Sequence, residues 1–328
     1  MLRVLFATGL IAFAAPVHAQ CEGENLIAAL PAAQMADLRA ATDAVPYPVG
    51  NFWRATRGTQ IVHVIGTYHF DDPRHAATMA KLDPLIAQST TVLVEAGPRE
   101  EAALIDRMAA DPSVLLITEG PTLPEILPPE DWKILSDAVR ERGIPPFMAA
   151  KFRPWYLSML LGIPACQMAT AAESRGLDGM VIDAAEAVGV PVKALEPYDT
   201  LFGLFETMSA EDQVSMIQST LALGAEGEDF AITLADSYFA EEGRMIWEFM
   251  RMRTLDMPGY TPERVEAEFA TMETVLMTDR NRNWIPVILA EADNGPVVAA
   301  FGALHLSGPL GVLSLLAAEG FTLTRLPF

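Results

Sequence analysis

A chain of 328 residues that is 51% hydrophobic and 20% charged can bury a large core in one or two domains. Its 43 acidic residues against 22 basic ones give a formal charge of −21. Such a surface repels phosphate backbones and anionic lipid, which argues against a nucleic-acid partner.

The first residues read as an export signal. Arg3 supplies a positive start, Val4 to Ala15 is an apolar run too short for a usual membrane span, and Pro16 breaks it. Val17-His18-Ala19 then forms a cleavage site before Gln20. The expectation is a signal peptide over 1–19, a periplasmic or secreted mature chain, and no stable membrane span after cleavage. The alternative is an uncleaved anchor. A lipidated Cys21 is disfavoured, because His18-Ala19-Gln20 lacks the Leu and the small residue that precede a lipidated cysteine. Cys21 and Cys166 are the only two cysteines. In an oxidising compartment they suit one disulfide; two unrelated thiols are the alternative.

Glu24 to Ala44 has helical apolar spacing, closed by Pro46, Pro48 and Gly50, so 20–50 is expected to be a helical extension. Phe52–Ala55 and Ile61–Ile65 flank Arg57-Gly58-Thr59, a hairpin signal. A helix is expected over Asp72–Ile86, a doubly covered strand over Thr91–Val94, and a helix over Glu100–Ala110. The centre, about 123–240, is mostly helical with proline punctuation, but holds a helix at Asp183–Val188 followed by a short strand at Pro191–Leu195. Helices follow at Trp247–Leu255 and Pro262–Ala292, a buried strand at Pro296–Phe301, a helix at Gly308–Ala318 and a last strand at Phe321–Leu326. Methionines 245, 250, 252, 272 and 277 read as core filler. This order predicts one α/β domain over 51–328, with a central, mostly parallel sheet and a helical insertion.

One echo stands out. Strand, then Gly66-Thr67-Tyr68-His69, is matched by strand, then Gly302-Ala303-Leu304-His305, each followed by a proline-containing turn and a helix. Two related strand–GxxH–helix halves meeting in one sheet are expected. In open parallel sheets ligands sit beyond the carboxyl ends of the strands. Four expected strand ends lead into His69, Glu95, Glu196 and His305. Two histidines and a carboxylate make a common divalent-metal shell, suited to Mn²⁺, Zn²⁺ or Co²⁺, so His69, His305 and Glu95 are the candidate ligands, with Glu95 also a candidate general base. Arg282, or Arg280 if the helix is turned, is the candidate oxyanion or carboxylate anchor, against the plain reading of a solvated helix face. Glu196, Asp183 and His75 are candidate supports behind the ligands, although Asp183 also suits a helix cap. His63, inside a strand, reads as structural. No G-x-S-x-G, Walker A, H-E-x-x-H or dinucleotide fingerprint is present.

These elements resemble the TraB/GumN family, relatives of the Tiki proteases. The resemblance rests on Ile65–His69, the strand ending at Glu95, Arg153-Pro154-Trp155, Leu177-Asp178 with Asp183, Leu195-Glu196, Arg280–Trp284, and Gly302–Leu306 with Gly308 and Gly311. It implies a fold similar to the erythromycin esterases and haem-uptake ChaN proteins, and a metal-dependent peptidase activity at the two GxxH histidines and a strand-end Glu. Tyr68 and Leu304 depart from residues common in the family without removing a ligand. The expected function is periplasmic metal-dependent hydrolysis of a peptide or small-molecule substrate. The alternatives are a non-catalytic binding protein using Arg282, and metal-free hydrolysis with a histidine base oriented by Glu95.

Overall fold

The computed structural model describes residues 21–328 except 169, 172, 173, 225 and 258; the expected signal peptide lies outside the described residues. Six strands form one sheet: β1 (Phe52–Arg57), β2 (Gln60–Thr67), β3 (Thr91–Val94), β4 (Val192–Ala194), β5 (Val297–Gly302) and β6 (Thr322–Arg325), in the order β4-β3-β5-β2-β1-β6. The four strands β4, β3, β5 and β2 run parallel, and β1 runs antiparallel to both β2 and β6. Gly58, at φ +58°, turns the β1–β2 hairpin.

Alternate residues of the strands feed two cores, as the two-residue period of a strand requires. Val64, Leu93, Ala299 and Phe301 pack against the helices Asp279–Ala292 and Val312–Ala318. Ile65, Val92, Val94, Val298 and Ala300 face the opposite way, against the helices His75–Ile86 and Gly176–Ala187. Both faces are covered, so β3 and β5 are buried along their whole length and, apart from Thr91, carry no polar side chain.

The central region builds its own apolar cluster, with Leu123, Leu135, Val139, Leu157 and Leu161 packed round Ile217. The helix Ala32–Asp43 packs through Leu38 on Met245, Ile246 and Phe249 of the helix Gly243–Leu255. Cys21 and Cys166 are joined in a disulfide with Cα atoms 5.4 Å apart. Among the described residues no helix is long and apolar enough to cross a membrane.

Several boundaries differ from the sequence expectation. The first helix starts at Ala32, because Pro31 lacks the N–H to continue a helix from Glu24. The helix expected from Pro262 to Ala292 widens into a π-helical segment at Thr274–Thr278 before resuming at Asp279. The helix expected from Asp183 starts at Gly176, seven residues earlier. That start is set from outside the segment: Asp71 Oδ1 accepts from the backbone N–H groups of Arg175 and Gly176 at 3.2 and 3.0 Å. Gly176 itself sits at φ +53°, where a Cβ would strike the backbone of Tyr68 and His69.

Candidate active site

The carboxyl ends of β4, β3, β5 and β2 lie side by side, and they carry Glu196, Glu95, Gly302 with His305, and His69 in that order. The two GxxH strands are direct neighbours, with Gly66 opposite Phe301 and Thr67 opposite Gly302, so the motifs are offset by one residue. They also leave the sheet differently. Ala303–His305 forms a 3₁₀ turn that tucks His305 inside, whereas Tyr68 and His69 run out into a bend.

Gly302 is the hub. Its N–H donates to Glu95 Oε1 at 2.7 Å. A Cβ built on it would lie 3.1 Å from His69 Nε2 and 3.3 Å from Glu95 Oε1. The imidazole, the carboxylate and the bare glycine therefore frame one small opening, and His305 Nε2 lies 3.9 Å from the same Glu95 oxygen.

Each ring is held from behind. His305 Nδ1 lies 2.6 Å from Asn281 Oδ1, while Asn281 Nδ2 donates to Leu310 O at 2.9 Å. The amide orientation is thus fixed by the carbonyl, and His305 carries its proton on Nδ1. Nε2 keeps its lone pair. Burial depresses the His305 pKa to about 4, with Arg280 and His69 adding to the effect against the pull of Glu95. His69 Nδ1 lies 2.8 Å from Asp178 Oδ2, and Thr67 holds the other oxygen of Asp178 at 2.6 Å. Asp178 raises His69 to about 9, against burial among its neighbours on the sheet edge. The His69 side chain is nevertheless 61% exposed, so water screens the pair and no stability figure follows from it.

Arg280 binds the remaining groups together. Its Nε and Nη2 reach Glu196, its Nη2 donates to Glu95 Oε2 at 2.5 Å, and its Nη1 donates to Leu276 O at 3.1 Å and to His305 Nε2 at 3.3 Å. All five guanidinium N–H groups have partners. Burial favours neutral Glu95, but His305, Arg280, His69 and the Gly302 N–H outweigh it and hold its pKa down at about 2. Trp284 Nε1 donates to Glu196 Oε2 at 2.9 Å, and its ring lies 4.4 Å from that of His305.

The other sequence candidates fall elsewhere. Arg282 is 55% exposed and pairs with Asp279 at 3.4 Å. Arg280, Trp284 and Ile288 share the buried stripe of the helix, and two residues of helical turn carry Arg282 to the other side. Asp183 is mid-helix rather than a cap, 63% exposed and paired with Arg175, because the helix starts at Gly176. Asp178, one turn earlier, makes the contact with His69. His75 does not meet either site histidine; it is buried beneath the loop, with Nε2–H donating to Phe70 O at 3.0 Å. Asn281 and Asp178 were not singled out as ring partners from sequence.

Among the described residues no three His, Cys, Asp or Glu side chains already stand at metal-ligand spacing. The donor types still suit a divalent ion: His69 Nε2 and the ionised Glu95 stand at the opening over Gly302, and His305 Nε2 lies 3.9 Å from Glu95, although its lone pair accepts from Arg280 Nη1.

A doubly covered, mostly parallel sheet with histidines and carboxylates at its strand ends defines an α/β protein with a polar site at the sheet edge. The TraB/PrgY/gumN family model matches residues 51–325, and the chain belongs to that family. The chain is also similar to the uncharacterized protein YbaP of Escherichia coli (strain K12), at 23% identity over 277 residues, covering 80% of this chain and 95% of YbaP. The YbaP protein of Shigella flexneri matches to the same extent.

Proposed function

We propose that this protein is an exported metal-dependent hydrolase acting on peptides, in which His69, His305 and Glu95 hold a divalent ion such as Mn²⁺, Zn²⁺ or Co²⁺. The observation that carries the proposal is the framing of one glycine-floored opening by His69 Nε2 and Glu95 Oε1, with His305 Nε2 beside that carboxylate. The Cys21–Cys166 disulfide supports export.

An ion bound there would acidify a water and polarise the scissile carbonyl, so neither a serine nor a cysteine nucleophile is needed. The protein's own groups prepare the place. Glu95 is ionised at all pH values near neutrality and brings a fixed negative charge. Asn281 fixes the His305 tautomer, so that Nε2 carries the lone pair an ion would take from Arg280 Nη1. Asp178 holds His69 Nδ1 in the same way, and His69 would have to give up its Nε2 proton to serve as a ligand. Arg280 has no donor to spare for substrate; it positions Glu95 and Glu196 against each other. Glu196 accepts from Trp284 Nε1 as well as from Arg280.

One observation favours a second reading. Arg280 Nη1 already donates to His305 Nε2. In a metal-free site His69, with Nε2 beside Glu95 at the opening, would be the general base once it has lost its Nε2 proton, because both nitrogens of His305 are engaged. Peptide hydrolysis measured in chelator and after metal addition separates the two. Peptide binding without cleavage under any metal would instead indicate a binding protein.

A further inference from the structure

Arg280 is a cation seated among the very groups that would hold an ion. Its Nη2 donates to Glu95 Oε2 at 2.5 Å and to Glu196 Oε1 at 2.6 Å. Its Nη1 donates to Leu276 O at 3.1 Å and to His305 Nε2 at 3.3 Å. The guanidinium carbon lies 5.0 Å from the centre of the Trp284 ring. Leu276 belongs to the π-helical segment Thr274–Thr278, so that segment supplies the carbonyl that anchors Nη1 beside His305.

The contact with His305 is the longest of these hydrogen bonds, and it decides whether His305 can serve as a ligand. With Nδ1–H committed to Asn281, Nε2 carries the only lone pair the ring can offer. That lone pair accepts from Nη1 or coordinates an ion, and cannot do both. Glu95 is divided differently. Its Oε1 takes the Gly302 N–H and lies with His69 Nε2 around the Gly302 Cβ position, while its Oε2 takes Arg280. A ligand on Oε1 therefore leaves the Arg280 bond to Oε2 in place. Access orders the groups as well. The His69 side chain is 61% exposed and that of Glu95 20%, whereas that of His305 is 7% exposed. An ion arriving from solvent meets His69 and Glu95 first and His305 last.

We propose that Arg280 is a latch on His305: its Nη1 competes with a divalent ion for the Nε2 lone pair, and His305 becomes a ligand only when Arg280 lets go. The inference rests on the metal-site reading of the proposed function. Arg280 is here a positioning residue. It keeps Glu196 through Nε and Nη2, and Leu276 O through the other Nη1 proton, so a single bond has to open. The latch makes the ion weaker bound than two imidazoles and a carboxylate alone would make it, and it places control of ion exchange on a residue outside the ligand set.

The test is binding of Zn²⁺ and of Mn²⁺ to the full mature chain, measured by calorimetry at one pH, with thermal melting in chelator and in each ion. Arg280→Lys keeps a positive charge beside Glu95 and Glu196 but replaces the planar fork with one ammonium. It is expected to bind the ions about tenfold tighter than wild type, the usual worth of a hydrogen bond to a charged group. Arg280→Met removes the charge too. It is expected to melt lower than wild type in chelator and to gain more than wild type from added ion, which replaces the lost cation between the carboxylates. A measurement on wild type covers the case of variants that fail to fold: saturation with Zn²⁺ is expected to shift the Arg280 Nη signals in ¹⁵N NMR spectra. Binding seen in the variants and not in wild type supports the latch. Equal or weaker binding by folded Arg280→Lys, or Arg280 Nη signals unmoved in Zn²⁺-saturated wild type, overturns the latch and leaves the metal site standing. Binding of neither ion to wild type or to either variant overturns the latch and the metal reading together.

Discussion

Gly302 donates its backbone N–H to Glu95 Oε1 at 2.7 Å, which ties the end of one GxxH strand to the carboxylate at the end of its neighbour. The same glycine leaves its Cβ position empty between His69 Nε2 and Glu95. Gly302→Ala is expected to keep the fold, because the φ of −48° at Gly302 is open to alanine. The added methyl would lie 3.1 Å from His69 Nε2 and push it off the opening. Metal affinity and hydrolysis should fall by about tenfold or more, as for other disturbed ligand shells, with thermal unfolding nearly unchanged.

Arg280 and Arg282 should behave as opposites despite standing two residues apart. The Arg280 side chain is 8% exposed between Glu95 and Glu196. Arg280→Met would leave two largely buried carboxylates, 20% and 9% exposed, without their cation, at a cost of up to about 3–5 kcal/mol. Arg282→Ala removes an exposed pairing and should change stability by no more than about 0.5 kcal/mol. Urea denaturation of the two variants gives the comparison directly.

The His69–Asp178 pair sets a pH dependence. The folded-state pKa of His69 is raised from 6.5 to about 9, chiefly by Asp178. A raised pKa means that the pairing stabilises the fold fully below pH 6.5 and that this contribution is lost as pH rises through about 9. Metal binding runs the other way, since an ion must displace the His69 proton, and should strengthen with rising pH over the same window. NMR titration of the His69 ring is expected to show its pKa falling back toward the ordinary imidazole range in Asp178→Asn. An unchanged titration would show that Asp178 is not the cause.

The Cys21–Cys166 bridge closes a sequence separation of 145 residues. Closing so long a loop restricts the unfolded chain and is expected to stabilise the fold by about 2–4 kcal/mol. Melting temperature should drop on reduction, and alkylation of the native oxidised protein should find no thiol. Two thiols per chain would contradict the bridge.

Much of this site was legible because strand ends are legible. Apolar β-branched runs such as Thr91–Val94 mark doubly covered strands, and the residue that follows each run sits at the sheet edge. That logic brings His69, Glu95, Glu196 and His305 together without further information. The supporting residues were harder to read because they depend on helix phase and helix start. The apolar stripe Trp284, Ile285, Ile288 and Ala292, followed backwards, leads to Arg280 and Asn281 and away from Arg282, a signal present in the sequence. The start at Gly176 has no local signal of that kind. It is capped by Asp71 from more than a hundred residues away, and a start seven residues early puts Asp178, not Asp183, in the first turn. The π-helical segment Thr274–Thr278 likewise reflects packing that periodicity does not reveal.

The most direct measurement is peptide hydrolysis by chelator-stripped protein after return of Mn²⁺, Zn²⁺ or Co²⁺, compared among wild type, His69→Ala, His305→Ala, Glu95→Gln and His63→Ala. Hydrolysis should vanish with chelator and return with metal. It should fall by about 100-fold or more in the first three variants, the order of effect seen when a metal shell is disturbed, and stay near wild type in His63→Ala. Turnover that persists unaltered in saturating chelator and in the His69→Ala, His305→Ala double variant would contradict a metal-dependent site at these strand ends.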